Sequence, residues 1–169
     1  MLEGETDHID QIVDQWRRER PELDVSPLAL FGRLLRAAHL ADRELARGLE
    51  GHGLQSGWFD VLAALRRAGR PYALNPTDLM AATMLSSGGI TKRLDRLAEA
   101  GLIERRPDPA DRRGTLVRLT RKGRSAIDRA LEGHLANEQR LLLALAPGDQ
   151  RRLDRLLRRL LGSLEAAEE

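Results

Sequence analysis

Cysteine is absent from the 169 residues of this chain, and aromatic residues make up only 3% of it. Without cysteine the chain can form no disulfide framework, no thiolate metal site and no thiol redox switch. The longest apolar run, residues 141–146, is far shorter than the roughly 18–20 residues that a membrane-spanning helix needs. The N-terminus, MLEGETDHID, also lacks the basic-then-apolar order of a secretory signal. We therefore expect a soluble cytoplasmic protein with no membrane partner.

The residue patterns of catalysis and metal binding are missing as well. The four histidines are scattered, and we find no metal-ligand spacing around them. Ser56, Ser86 and Ser87 lie in no nucleophile motif and are better explained as N-caps of helices. The glycines that follow Ser87 lack the lysine of a phosphate-binding loop. We expect no metal, no cofactor and no enzymatic activity.

Charge is distributed unevenly along the chain. In total there are 28 basic and 26 acidic residues, a formal net charge of +2. Residues 1–50 carry a net charge of −4, whereas residues 86–124 contain 11 basic and five acidic residues and carry +6. Such a basic block between acidic or near-neutral arms favours a polyanionic partner, although a solvated arginine-rich surface gives the same pattern.

Caps, prolines and glycines divide most of the chain into helices. Ser26-Pro27 and Asn75-Pro76 each combine an N-cap with a proline in the first helical turn, and Gly101 is placed to end a helix. Apolar residues recur at helical spacing between these signals. The predicted helices cover residues 7–20, 27–51, 57–68, 77–84, 88–100, 124–145 and 149–165.

Two short strand-like runs, residues 102–106 and 116–120, flank the segment PDPADRRGT, whose proline, aspartate and glycine are typical of a hairpin loop. A short helix, a tight turn, a second helix and then a basic hairpin form the winged helix-turn-helix arrangement. We therefore predict a mainly α fold with a small β-hairpin wing.

The second helix of this unit is suited to reading DNA. It follows the small residues SSGG, so its first turn can approach base edges closely, and its free N–H groups favour phosphate. A guanidinium at the tip of the wing can enter a narrow minor groove. The predicted DNA contacts are Ser86, Ser87, Thr91, Lys92 and Arg96 from the helix, with Arg112 or Arg113 from the wing.

The wing segment DRRGTLVRLTRKG and the preceding NPTDLMAATMLSSGGITKRLDRLAEAGLIERR resemble the MarR family of bacterial transcription regulators. The resemblance implies a homodimer with intertwined terminal helices that binds a palindromic double-stranded DNA operator. The leucine stripe of the last helix and the apolar face of residues 9–16 fit a dimer, and packing within one chain is the alternative. The implied parts are residues 1–53 (extra N-terminal and first dimerisation helices), 54–124 (DNA-binding domain) and 125–169 (C-terminal dimerisation helices).

The segments WRRERPELD, GWFDVLAALRRAG and TKRLDRL are similar to the PecS-like, urate-responsive branch of that family. This resemblance implies a ligand site made of Trp16, Asp60 and Arg93. An aromatic face, a hydrogen-bond acceptor and a guanidinium suit a planar anionic ligand. A core position for Trp16 and a solvent-facing one for Asp60 are the alternatives. The chain departs from the branch at Lys92, where an asparagine is usual.

The sequence thus predicts a dimeric transcription regulator, a repressor released from its operator by a small effector such as urate or a small organic acid. Two other functions remain open. One is a constitutive or architectural DNA binder without an effector. The other is a winged helix that binds another protein. Binding of the chain to DNA from its own upstream region, with and without candidate metabolites, distinguishes the three.

Overall fold

The computed structural model describes residues 6–83, 89–109 and 114–167. These residues form seven α-helices, a 3₁₀ turn at Leu142–Ala144 and a three-stranded antiparallel sheet. By their internal contacts they divide into two units, residues 1–44 and 45–169. The elements are α1 (His8–Glu19), α2 (Ser26–Glu50), α3 (Ser56–Arg67), β1 (Ala73–Leu74), α4 (Pro76–Ala81), α5 (Ile90–Glu99), β2 (Ile103–Pro107), β3 (Thr115–Leu119), α6 (Arg121–Leu141) and α7 (Pro147–Glu165).

In the N-terminal unit, α1 is fixed to α2 by a cap and an ion cluster. The Asp7 side chain accepts hydrogen bonds from the backbone N–H groups of Ile9 and Asp10, and Asp10 accepts one from the Asp7 N–H in return. Arg33 donates to Asp7 at 2.8 Å and to Asp10 at 2.6 Å. A Cβ on Gly32 would lie 2.9 Å from Ile9 Cγ2, so the glycine allows the two helices to approach closely.

The second unit is built on a core to which α3, α5, α6 and the sheet contribute. Leu62 and Leu65 of α3 are fully buried, and so are Leu97 of α5 and Ile127 of α6. Apolar residues at three- and four-residue spacing place one face of each helix against this core. The elements of the predicted winged helix therefore pack around α3.

The sheet has the order β1-β3-β2. The β2–β3 register runs from Ile103 opposite Leu119 to Pro107 opposite Thr115, as expected for the predicted hairpin. Strand β1, whose Ala73 pairs with Arg118, was not expected from the sequence. Two residues between a proline and a helix cap give no alternating pattern, and only pairing with β3 makes them a strand.

Several predicted helix starts and ends are wrong. Ser26 does not cap α2, because it is the first residue of that helix, and α6 and α7 begin at Arg121 and Pro147, before the predicted residues 124 and 149. Ser56 does not cap α3, because it is already the first helical residue; Gln55 holds the cap position and makes no side-chain cap bond. Helix α4 ends at Ala81 rather than at residue 84. Residues 84–88, which include the predicted caps Ser86 and Ser87, lie outside the described residues.

The last helix buries none of its residues in the described chain, although it carries six leucines on one stripe. Leu156, Leu161 and Leu164 are 51%, 56% and 53% exposed. A stripe of this kind costs free energy in water unless something covers it. Among the described helices, none is long and apolar enough to cross a membrane.

Candidate nucleic-acid interface

Helices α4 and α5 begin with well-defined local signals. The Asn75 side chain accepts a hydrogen bond from Asp78 N at 2.8 Å, which satisfies a free N–H group at the start of α4. Helix α5 follows Gly89, whose φ of 91° lies in the left-handed region that favours glycine. Ile90, Leu94 and Leu97 then bury one face of α5 against the core. The opposite face of α5 is consequently turned outward.

The described DNA-contact candidates lie on that outward side. Thr91, Lys92 and Arg96 are exposed. Lys92 and Arg96 take part in none of the ion pairs between described residues, so their charges remain available to a partner. Ser86 and Ser87 fall outside the described residues.

The outer side of α5 is also tied to the wing and to α6. Asp95 forms an ion pair with Arg105 of β2 at 2.7 Å. At the end of the helix, Lys122 Nζ donates to the carbonyl of Ala100 at 2.8 Å, a favourable position for a cation. These contacts fix the direction in which α5 presents its first turns.

The wing extends from the sheet as a two-stranded ladder, and Asp108 N donates to Gly114 O at 3.0 Å beyond the last strand pair. Arg112 and Arg113, the predicted minor-groove residues, are outside the described residues. On β2, Arg106 donates to both carboxylate oxygens of Glu104, at 2.8 and 3.1 Å. This pairing lowers the pKa of Glu104 below its ordinary value.

Part of the charge of the basic block, residues 86–124, is therefore neutralised or occupied by partners within the same unit. Arg105, Arg106 and Lys122 hold strands and helices together, which linear charge counting does not reveal. Lys92 and Arg96 stay exposed. The surface that remains positive is smaller than the net charge of the block suggests, and Lys92 and Arg96 of α5 belong to it.

Of the three predicted ligand residues, two lie in the same unit. The Arg93 guanidinium covers Gly57 at the start of α3: a Cβ on that glycine would lie 2.5 Å from Arg93 Nε and 2.7 Å from its Cζ. Asp60 is half-buried and lies one turn further along the same face of α3. Trp16 belongs to α1 of the N-terminal unit and is 46% exposed, so it is not a core residue there.

Sequence reasoning missed one pairing among the histidines. His134 Nε2 lies 3.2 Å from Glu138 Oε1, one turn later on α6, and its ring centroid is 4.4 Å from that of Phe59. We expected no histidine to have a ligand at helical spacing, and this expectation is wrong for His134. Among the described residues no group of three or more candidate metal ligands exists.

A helix-turn-helix followed by a β-hairpin wing defines a winged helix-turn-helix DNA-binding protein. Residues 52–114 match the model of the MarR family. The HTH-type transcriptional regulator PecS of Dickeya dadantii is 40% identical over 151 residues, which cover 89% of this chain and 91% of PecS. The chain belongs to the MarR family.

Solved structures agree with this assignment. A mutant MarR of E. coli in complex with operator DNA is 28% identical, with a TM-score of 0.70 over 86% of this chain and 97% of that one. BpsR of Bordetella bronchiseptica is 29% identical, with a TM-score of 0.67 over 76% of this chain and 91% of BpsR. The DNA binding of BpsR is regulated by 6-hydroxynicotinic acid. The predicted fold and the prediction of a DNA-binding transcription regulator rather than an enzyme are confirmed.

Proposed function

We propose that this regulator is a dimeric repressor that leaves a palindromic operator when it binds a small planar anion of the urate type. The observation that carries the proposal is the position of Arg93. It belongs to α5, the helix on which the proposed DNA contacts Lys92 and Arg96 are exposed, and its guanidinium lies on the face of α3 that carries Asp60. A ligand held between a guanidinium and a carboxylate acceptor at this place acts directly on α5.

Release follows from the spacing of the operator. Two copies of α5 must enter half-sites about one helical turn of DNA apart, so a shift of either helix lowers the affinity for both half-sites together. Trp16 of the additional N-terminal helix supplies an aromatic face in this proposal, as the resemblance to the PecS-like branch implies. The similarity to BpsR, whose DNA binding is regulated by 6-hydroxynicotinic acid, supports an acidic effector.

The DNA contacts are proposed on the same basis. Thr91, Lys92 and Arg96 are exposed on α5 and can reach bases or phosphates from its first turns. From the sequence, Ser86 and Ser87 allow close approach before the helix, and Arg112 or Arg113 enters the minor groove from the wing. The division into an extra N-terminal part (1–53), a DNA-binding part (54–124) and C-terminal dimerisation helices (125–169) belongs to this proposal.

Dimerisation through α7 is supported by its leucines. Leu153, Leu156, Leu157, Leu161 and Leu164 are each between 41% and 56% exposed on a helix that buries no residue in the described chain. A second copy of the same helix is the occupant that fits best, because a two-fold operator requires a two-fold protein.

The dimer can be tested with Leu161→Ala/Leu164→Ala. Burying a whole leucine is worth roughly 1.5–3 kcal/mol, so covering the exposed half is worth about 1 kcal/mol per side chain. Four truncated leucines in a symmetric dimer then remove up to about 4 kcal/mol, roughly a thousandfold in the dimer dissociation constant. Sedimentation equilibrium measures this constant, and Arg151→Ala/Arg155→Ala on the opposite face of α7 is the matched control. A monomeric wild type, or a dimer equally stable in both variants, contradicts the proposal.

The effector can be tested by titrating urate, other purines and small polycarboxylates into a complex of the protein with DNA from its own upstream region. Wild type should release the DNA, whereas Asp60→Asn should require at least tenfold more effector; Asp154→Asn on α7 should behave as wild type. DNA binding without any response favours a constitutive binder. No DNA shift at low salt favours a protein-interaction role and refutes the proposal.

A further inference from the structure

A second basic site lies at the end of β3 opposite to the wing. It is a cavity of about 500 Å³ between the α3–β1 connection, the end of β3 and the first turn of α6. We propose that this cavity, here termed the arginine pocket, binds a small organic dianion that carries a flat ring beside a phosphate or a pair of carboxylates. Its lining consists of Pro71, Tyr72, Leu119 and Thr120 together with Arg70, Arg118, Arg121 and Arg124.

The arginine pocket has an excess of positive charge. Four of its eight lining residues are arginines and none is acidic. Two carboxylates of neighbouring elements have partners outside the pocket: Asp128 accepts from Arg66 at 2.7 Å, and Glu104 binds Arg106 at 2.8 Å. Glu104 also forms a long ion pair with Arg118 at 3.9 Å, which neutralises that arginine only in part. Guanidinium groups that line one cavity in excess over acids repel one another, and a bound dianion reduces this repulsion while accepting paired hydrogen bonds.

Tyr72 supplies the flat wall of the arginine pocket. The Arg66 guanidinium lies 5.1 Å from its ring centroid and that of Arg124 lies 5.8 Å from it. The Tyr72 carbonyl accepts a hydrogen bond from Leu119 N at 3.0 Å, which fixes the residue against β3. The backbone φ of Tyr72 is 61°, which is unusual for a residue other than glycine, and such backbone outliers cluster at ligand sites.

The surrounding arginines also act on the hydroxyl of Tyr72. A hydrogen bond from Arg70, with the charges of Arg66 and Arg124, lowers the pKa of Tyr72 below its ordinary value. The same field favours any other anionic oxygen placed beside the ring. The first turn of α6 adds its N-terminal partial positive charge to that of Arg121 and Arg124.

The position of the arginine pocket separates it from DNA. Thr115 begins β3 at the wing, and Leu119 ends it at the pocket. Four residues of strand at about 3.3 Å each place the two ends roughly 13 Å apart. Thr91 and Lys92 lie at the start of α5. Its other end, at Ala100, is hydrogen-bonded to Lys122, which follows the pocket residue Arg121. An anion in the pocket therefore does not need to compete with a duplex for the same side chains.

Isothermal titration of the full-length protein with phenyl phosphate tests the proposal. At pH 7.5 a phosphate monoester is mostly a dianion. We expect one pocket site per chain and at least tenfold weaker binding by Arg121→Gln/Arg124→Gln, because two charge-assisted contacts are lost. The exposed pair Arg151→Gln/Arg155→Gln should bind as wild type. Inorganic phosphate, which lacks the ring, should bind more weakly than phenyl phosphate.

Two further measurements separate the arginine pocket from the other proposed sites. Arg93→Gln should keep the phenyl phosphate binding, and an excess of random-sequence duplex DNA should leave it in place. Absence of binding by wild type, equal weakening in the α7 control, loss in Arg93→Gln alone, or displacement by duplex DNA would each overturn the proposal. Circular dichroism of every variant establishes that the fold is retained.

Discussion

Gly57→Ala should make the protein less sensitive to the proposed effector without harming its fold. The new Cβ would lie 2.5 Å from Arg93 Nε, 2.7 Å from Cζ and 2.8 Å from Nη2, where ordinary contacts begin at 3.4 Å. The obstacle is the far end of a flexible side chain, so the guanidinium moves away by about 0.9 Å and the backbone stays in place. No charge is added or removed by the substitution.

The substitution should change both the response to urate and the thermal stability. A hydrogen bond from a charged group contributes roughly 1.5–3 kcal/mol, so displacing the Arg93 guanidinium should raise the urate concentration for half-release of DNA by roughly 10- to 150-fold. For stability, alanine is better than glycine in a helix by up to about 1 kcal/mol. A chain of this length should then gain roughly 2–4 °C in Tm at most.

Gly148→Ala is the matched control, because Gly148 is the second residue of α7 as Gly57 is of α3, and nothing lies within 4 Å of its added Cβ. Fluorescence anisotropy of labelled operator DNA with increasing urate measures the response, and a thermal scan measures stability. If Gly57→Ala releases DNA at the same urate concentration as the control, Arg93 does not hold the ligand. A large loss of Tm would show that the guanidinium cannot move as described.

Three further outcomes are expected. Arg113→Gln should weaken binding to all DNA sequences and lower the salt slope by about one unit, measured by titrations at several salt concentrations; an unchanged slope removes the residue from the DNA contacts. Gly123→Ala should cost at least roughly 1–3 kcal/mol in urea unfolding, since its Cβ would overlap the backbone carbonyl of Leu102, and wild-type stability would contradict the packing described. Hydrogen bonds from Arg33 lower the pKa of Asp7 below its ordinary value of 3.8, so their contribution is complete above pH 3.8 and is lost as the pH falls through the lowered pKa. Hydrogen exchange of α1 should therefore increase in acid, and at a higher pH in Arg33→Gln; identical profiles would exclude the ion cluster as the cause.

Much of the fold could be predicted because local signals and tertiary structure agree. Asn75 caps α4, Gly101 with its positive φ ends the α5 segment, and the loop between β2 and β3 has hairpin composition. The failures occur where local signals are ambiguous. A serine next to Gln55 can be a cap or a first helical residue, and β1 is too short to show any alternation.

The functional surfaces were predicted less completely, because charge along a chain does not show which charges meet. Arg105 and Lys122 belong to the basic block, yet each has a partner inside the unit. The arginine pocket joins Arg70 with residues about 50 positions later, and no spacing rule links them. Arg93 was assigned from a family resemblance, and its contact with Gly57 follows from how α5 packs on α3.

The junction at Thr120 has a mechanical consequence. Its hydroxyl accepts a hydrogen bond from Gly123 N as the cap of α6 and donates to Gly101 O at 2.8 Å, immediately after α5. Together with Lys122 it makes a fixed pivot at one end of α5, a rod of 10 residues. Such a rod is about 15 Å long, so turning it by about 10° around the pivot moves its other end by about 2.6 Å. That distance approaches the rise of about 3.4 Å between successive base pairs, so a small rotation of α5 around this pivot is enough to misalign it with its proposed DNA contacts.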